Sequence, residues 1–238
     1  MAELETILAL ASEDLLLNTG SGRVDATVRD HSVRVARTAV LIAELVEHKA
    51  RHVDRTATFA AGLYHDAGWI ADYREARVAR KDMLSQPTTD VQREVGAGWL
   101  ERRLAEHIGA TSLTKAASAI RQCNGKDTDQ VEAQLIAEAE NLDEIGPLSI
   151  AKVLRDHADD PRGLDAVIAT WHRQQEYHYW PARIKDCFRF NATRRLAEQR
   201  LAQLDPFMHA LTVCHRGEDV ADLLEQIGVV VPVLPTSS

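Results

Sequence analysis

Cysteine is scarce in this chain: Cys123, Cys187 and Cys214 are the only three among 238 residues, and no C-x-x-C occurs. An odd, dispersed set excludes both a disulfide framework and a cysteine zinc site, and reads as reduced thiols. The seven prolines and 12 glycines are scattered, so no Pro- or Gly-rich linker divides the chain. Positive charge is in deficit, with 28 Lys and Arg against 36 Asp and Glu, a net −8. That balance argues against broad attraction to a nucleic-acid polymer or an anionic membrane. No apolar run approaches the ~18 residues of a membrane span. Glu3 and Glu5 stand where a signal peptide would carry Lys or Arg, so the expected compartment is the cytoplasm. No stretch alternates with period two for long, and "GVVVPV" near the C-terminus is the one candidate strand.

What is present is helix. The chain is 45% hydrophobic and 27% charged, enough apolar material for a sizeable core. In "HSVRVARTAVLIAELVEH" from residue 31, Val35, Ala39, Ile42 and Val46 recur every three or four positions, and His31 falls on the same stripe. Asp30 is a candidate N-cap, which would put His31 in the first turn. A second helix is predicted over 54–66, with Asp54 as cap and Gly68 closing the element. A short charged helix follows at 72–84 and breaks at Pro87. Further helices are expected at 91–107, 112–123, 130–145, 147–158, 164–178, 182–204 and 206–226. The fold class is therefore all-α, without internal repeats.

The octapeptide "GLYHDAGW" at 62–69 sets His65 beside Asp66 at the end of an apolar helix. Burying an imidazole and a carboxylate costs several kcal/mol unless a partner compensates them. Candidate partners lie on separate helices: His31 on the first stripe, and Glu138, Glu140, Asp143 and Glu144 in "VEAQLIAEAENLDEIG". A mixed set of imidazole and carboxylate suits Mn, Fe, Co, Ni, Zn or Mg rather than Ca. Helical phase separates two of the acids. At about 100° per residue, Asp143 lies on the apolar arc between Ala139 and Ile136, and Glu140 lies about 40° outside it.

These residues resemble the HD superfamily of metal-dependent phosphohydrolases, through "DHSVRVARTAVLIAEL", "AAGLYHDAGWI" and "VEAQLIAEAENLDEIGPLSIAKVL". The last is similar to a "DADRLDAIGA" signature of bacterial members that include nucleotide pyrophosphatases. "NATRRLAEQRLAQLDPFMHAL" is similar to that subgroup's closing helix. The resemblance covers roughly residues 25–212. It implies an HD-type helical bundle over 25–160, preceded by an N-terminal segment (1–24), extended by C-terminal helices (161–226) and followed by a tail (227–238).

It further implies one divalent metal per chain, held by His31, His65, Asp66 and either Glu140 or Asp143. Alignment favours Glu140, and helical phase favours Asp143. Binuclear members carry two additional histidines where this chain has Gln92 and Cys123, so a single ion is expected. The implied reaction is hydrolysis of a small phosphorylated molecule, a nucleotide, at a phosphomonoester or pyrophosphate bond. Asp66 and Asp143 are the candidate catalytic carboxylates, with Asp72 a weaker candidate base. Arg34 and Lys126 are candidate phosphate-binding residues, and Arg80 and Lys81 could join them from the Pro87 loop. The alternative is a degenerate HD domain that binds metal or nucleotide for regulation, motivated by Glu at position 140 and the missing histidines. The remaining histidines, including those of "WHRQQEYHYW", read as surface or interface residues, and the tryptophans as core. The helices over 164–226 offer a surface on which a homodimer could form.

Overall fold

The computed structural model describes residues 2–19, 22–45, 52–157 and 160–230, which are almost wholly helical. Helix α1 (Ala2–Leu15) leads into a minimal antiparallel hairpin, β1 (Leu17–Asn18) with β2 (Val24–Asp25). Then follow α2 (Thr27–Ile42), α3 (Arg55–Tyr64), α4 (Ala67–Arg74), a 3₁₀ turn at Arg80–Asp82, α5 (Asp90–Leu104), α6 (Ala110–Gln122) and α7 (Val131–Asp143). The C-terminal part comprises α8 (Ser149–Asp156), α9 (Leu164–Glu176), α10 (Tyr179–Cys187), α11 (Asn191–Arg216) and α12 (Glu218–Gln226).

Helix α3 is the axis of the bundle. Every residue from Ala57 to Tyr64 is buried, the pattern of a helix surrounded on all sides, and α1, α2, α5, α6 and α7 pack around it. Its start is fixed by Asp54, whose carboxylate accepts the Ala57 amide at 2.9 Å, as the sequence predicts. Its approach to α2 depends on Gly62: a Cβ there would lie 2.6 Å from the Ala36 Cα. Helix α1 buries Ile7, Ala11 and Leu15 and is pinned by Asp14, which accepts hydrogen bonds from Tyr64 (2.7 Å) and Arg103 (3.0 Å).

The C-terminal helices join the same core through Trp171, Trp180, Ile184, Phe188, Leu204 and Met208. Their link to the bundle is polar as well. Glu138 on α7, 1% exposed, accepts the Arg189 amide at 2.6 Å and the Thr193 hydroxyl.

Several predicted boundaries move, each for a local reason. Helix α2 begins at Thr27, whose amide is taken by Asp25 at 2.8 Å; Asp30 lies inside the helix, and His31 falls in its second turn. The charged helix predicted over 72–84 is absent. Instead α4 starts at Ala67 with Gly68 inside it, and the chain turns at Ala76 and Leu84, both with positive φ. The helix predicted over 182–204 is split at Phe188, which is extended and buried while Glu138 holds the next amide. The break predicted near 205 does not occur, because Pro206 lies on an exposed face of α11, where the lost hydrogen bond can be replaced by water. The hairpin went unpredicted, since two-residue strands leave no periodicity. Of the candidate strand "GVVVPV", Gly228 lies in a turn and Val229 and Val230 form no strand, while 231–233, like Val46, lie outside the described residues.

Candidate metal centre

The His65–Asp66 turn between α3 and α4 points into the space between α2, α5 and α7. His65 is fully buried. Its Nδ1 meets the Gly62 carbonyl at 2.8 Å. A carbonyl only accepts, so the proton resides on Nδ1 and Nε2 keeps its lone pair. Burial pushes the His65 pKa down and keeps the ring neutral. Its Nε2 is buried and has no hydrogen-bond partner.

His31 presents the same nitrogen. Its Nδ1 lies 2.8 Å from Asp143 Oδ2, and its Nε2 lies 3.3 Å from Asp66 Oδ2. Asp66 Oδ2 is also 3.5 Å from His65 Nε2. Ligand atoms of His31, His65 and Asp66 all fall within 4.8 Å of one another. Burial alone would lower the His31 pKa, but hydrogen bonds to Asp143 and Asp66 outweigh it and raise it to about 9.

Each carboxylate around this cluster is held in place. Asp66 occupies the N-cap position of α4 without capping it; its Oδ1 instead accepts the Thr88 hydroxyl (2.6 Å) and Arg93 Nη1 (2.8 Å). Thr88 in turn accepts the indole N–H of Trp69 at 2.7 Å. Burial would raise the Asp66 pKa, but the neighbouring imidazoles and Arg93 hold it well below the carboxylate range. Asp143 receives a two-pronged bond from Arg34, Nε to Oδ1 at 2.7 Å and Nη2 to Oδ2 at 2.8 Å. Those bonds and His31 hold its pKa low against the effect of burial. Glu140 accepts Arg93 Nη2 at both oxygens, 2.9 and 2.8 Å.

The structure thus brings His31, His65 and Asp66 together and sets Asp143 behind His31 and Glu140 behind Arg93. Arg34, on Asp143, keeps 40% of its side chain exposed. Lys126 lies apart, in an open cavity of about 420 Å³ that it shares with Arg121, Asn124 and Thr128. Arg80 pairs with Asp25 at 3.1 Å. Asp72 accepts Arg77 at 2.9 Å and Gln92 at 2.7 Å. Gln92 is therefore engaged away from the cluster, and the buried Cys123 thiol donates to the Ile120 carbonyl at 3.2 Å with its pKa pushed up to about 12 by burial.

Sequence reasoning missed Arg93, Thr88 and Asn124. Arg93 in "VQREVG" has no apolar signature and reads as a surface charge. The loop "PTTD" does carry a capping box, formed by Thr89 and Gln92, and that box fixes the turn from which Thr88 and Arg93 reach Asp66.

A family model for the HD domain matches residues 28–169, more than half of the chain, and the chain belongs to this family. Among solved structures it is similar to a predicted HD superfamily hydrolase from an uncultured Thermotogales bacterium, at 18% identity and a TM-score of 0.54, covering 88% of this chain and 91% of that one. It is also similar to Bacillus subtilis YpgQ in complex with ADP, at 19% identity and a TM-score of 0.53, covering 88% and 93%. At these identities the likeness establishes the shared all-α fold. Comparison with curated protein sequences gave no match.

The residues present suit the divalent metal that the family implies. Two imidazole lone pairs and one carboxylate oxygen converge, and the buried Nε2 of His65 has no other partner. With both imidazoles neutral, as ligands must be, Asp66, Glu140 and Asp143 carry three negative charges against the two positive charges of Arg34 and Arg93. Without metal, the proton that His31 holds up to about pH 9 balances the remaining charge, and a cation would replace that proton.

Proposed function

We propose that this chain is a metal-dependent phosphohydrolase acting on a small phosphorylated molecule, a nucleotide, in the cytoplasm. The observation that carries the reading is the unpartnered Nε2 of His65, buried beside Asp66 Oδ2 and facing His31. An unsatisfied buried nitrogen costs ~1–3 kcal/mol, and a ligated cation removes that cost. His31 Nε2, His65 Nε2 and Asp66 Oδ2 are the proposed ligands, a borderline N/O set suited to Mn, Fe, Co, Ni or Zn, with Mg also compatible. The ion supplies a water activated at neutral pH and positive charge against the phosphoryl oxygens.

The protein's own groups do the rest. Asp143 holds the proton on His31 Nδ1, which aims Nε2 inward, and Gly62 does the same for His65. Arg34 answers the charge of Asp143 and keeps an exposed cationic edge at the site, able to attract phosphate despite the net negative chain. Lys126, in the cavity whose lining includes Asn124, the partner of Arg93, is the second proposed phosphate-binding residue. Nucleotide is favoured as substrate because an ADP complex is known for the similarly folded YpgQ.

The test is to incubate purified protein with Mn²⁺, Co²⁺, Ni²⁺ or Mg²⁺ and a panel of nucleoside mono-, di- and triphosphates, measuring phosphate and pyrophosphate release beside His65→Ala. Metal-dependent release that His65→Ala abolishes is expected. Release that is absent throughout, or equal in the variant, removes the reading. Nucleotide binding without turnover would instead support a regulatory domain, a second reading favoured by the engagement of Glu140 with Arg93.

A further inference from the structure

Arg93 is 1% exposed, and the structure uses every donor it has. Nε donates to Asn124 Oδ1 at 3.1 Å, Nη1 to Asp66 Oδ1 at 2.8 Å and to the His65 carbonyl at 3.0 Å, and Nη2 to both Glu140 oxygens. Desolvating a guanidinium is expensive, and a buried arginine serving packing alone would have no reason to sit on the back of the metal-binding carboxylate. Asp66 is the hinge of the arrangement. Its Oδ2 faces the two imidazoles, and its Oδ1 faces Arg93, so one carboxylate spans two cation positions, one of them already filled by the protein. Gln92, next to Arg93 in sequence, and Cys123, next to its partner Asn124, are turned to other groups.

We infer that Arg93 is a positioning residue that acts as a fixed cation in a second cation position: it keeps Glu140 out of the ligand set and limits the centre to one exchangeable ion. The inference rests on the metal-binding reading above. Removing Arg93 would leave Asp66, Glu140 and Asp143 with a single guanidinium among them, an excess of two negative charges. A guanidinium keeps its proton at any physiological pH, so the limit holds across that range. With Glu140 engaged, three protein ligands remain, and further coordination positions stay open for water and substrate, as in catalytic rather than structural sites.

Mn²⁺ binding by equilibrium dialysis to the wild type, Glu140→Gln, Arg93→Met and the double variant tests this as a cycle. Wild type should bind one ion per chain, and Glu140→Gln alone should change Kd by less than ~3-fold. In the Arg93→Met background the freed Glu140 reaches the ion, so adding Glu140→Gln should weaken binding by ~10-fold or more, the range of a lost supporting or ligating group. Loss of ~10-fold or more on Glu140→Gln in the wild-type background, or additivity across the cycle, overturns the inference. If Arg93→Met does not fold by circular dichroism, Arg93→Lys takes its place, because a point-like ammonium cannot fork between Asp66 and Glu140; the single Glu140→Gln arm is decisive on its own. A wild type that binds no Mn²⁺, Co²⁺ or Zn²⁺ overturns the metal-binding reading itself, and the inference with it. A wild type that binds while Glu140→Gln fails overturns only the role of Arg93.

Discussion

His31 and Asp143 meet at 2.8 Å through Nδ1, the nitrogen that faces away from Asp66. The contact fixes the tautomer and the orientation of the ring, and Arg34 holds the carboxylate from its other side. On the proposed ligand set, Asp143→Ala would therefore act on the metal through His31. We expect a ~10–100-fold loss of Mn²⁺ affinity, the usual cost of removing such a support, measured by isothermal titration calorimetry on a variant whose helical content is unchanged. Affinity within a factor of two of wild type would show that His31 needs no such support.

On the proposed ligand set, protons and metal would compete for the His31 imidazole. In chelated protein the His31 pKa is raised from 6.5 to about 9, so the folded state holds this proton more tightly than the unfolded state. The stabilisation is complete below pH 6.5 and is lost as pH rises through 9. Urea unfolding of chelated wild type should show this fall, and His31→Gln should flatten it. Metal binding at neutral pH should release about one proton, visible as a buffer dependence of the calorimetric heat.

Gly62 is needed twice, for the approach of α3 to α2 and for the carbonyl that holds His65. A Cβ at this position would sit 2.6 Å from Ala36 Cα and 3.0 Å from its Cβ. Both neighbours are packed helix, so neither can yield cheaply. Gly62→Ala should cost ~1–3 kcal/mol by overpacking in urea unfolding and weaken metal binding, whereas an unchanged midpoint would mean that the helices separate freely.

Glu138 supports the fold without touching the cluster of His31, His65 and Asp66. Glu138→Ala strands the Arg189 amide and takes one acceptor from the Thr193 hydroxyl, which keeps the Phe190 carbonyl at 3.0 Å. A buried group left unpaired costs ~1–3 kcal/mol, and a loss of that size in unfolding free energy is expected. Metal affinity of the folded fraction should be unchanged, and a parallel loss of affinity would show that the C-terminal helices act on the site.

The pattern HD-x-x-W and its upstream histidine were legible because their chemistry is strange for an apolar helix end. His31, His65 and Asp66 stand out in sequence for the same reason that they cluster in space. Asp143 was legible by phase, because a carboxylate on the apolar arc of α7 must meet a partner inside. Arg93 was illegible, since its burial depends on the turn made by Thr88 and Thr89 and on acids from two other helices. The Thr193 partner of Glu138 lies 55 residues away, beyond any local pattern.

The sequence by itself determined the helical class, the cap on α3, the buried character of the central helix and the identity of the clustered imidazoles and carboxylate, because these follow from periodicity, cap chemistry and the cost of burying polar groups. Tertiary structure decided which nitrogen of each histidine faces Asp66 and which acid stands behind which partner. It also placed the fixed positive charge beside the site. Those choices depend on contacts between residues from α2, α5 and α7, and only packing α3 among them brings such residues within hydrogen-bond reach.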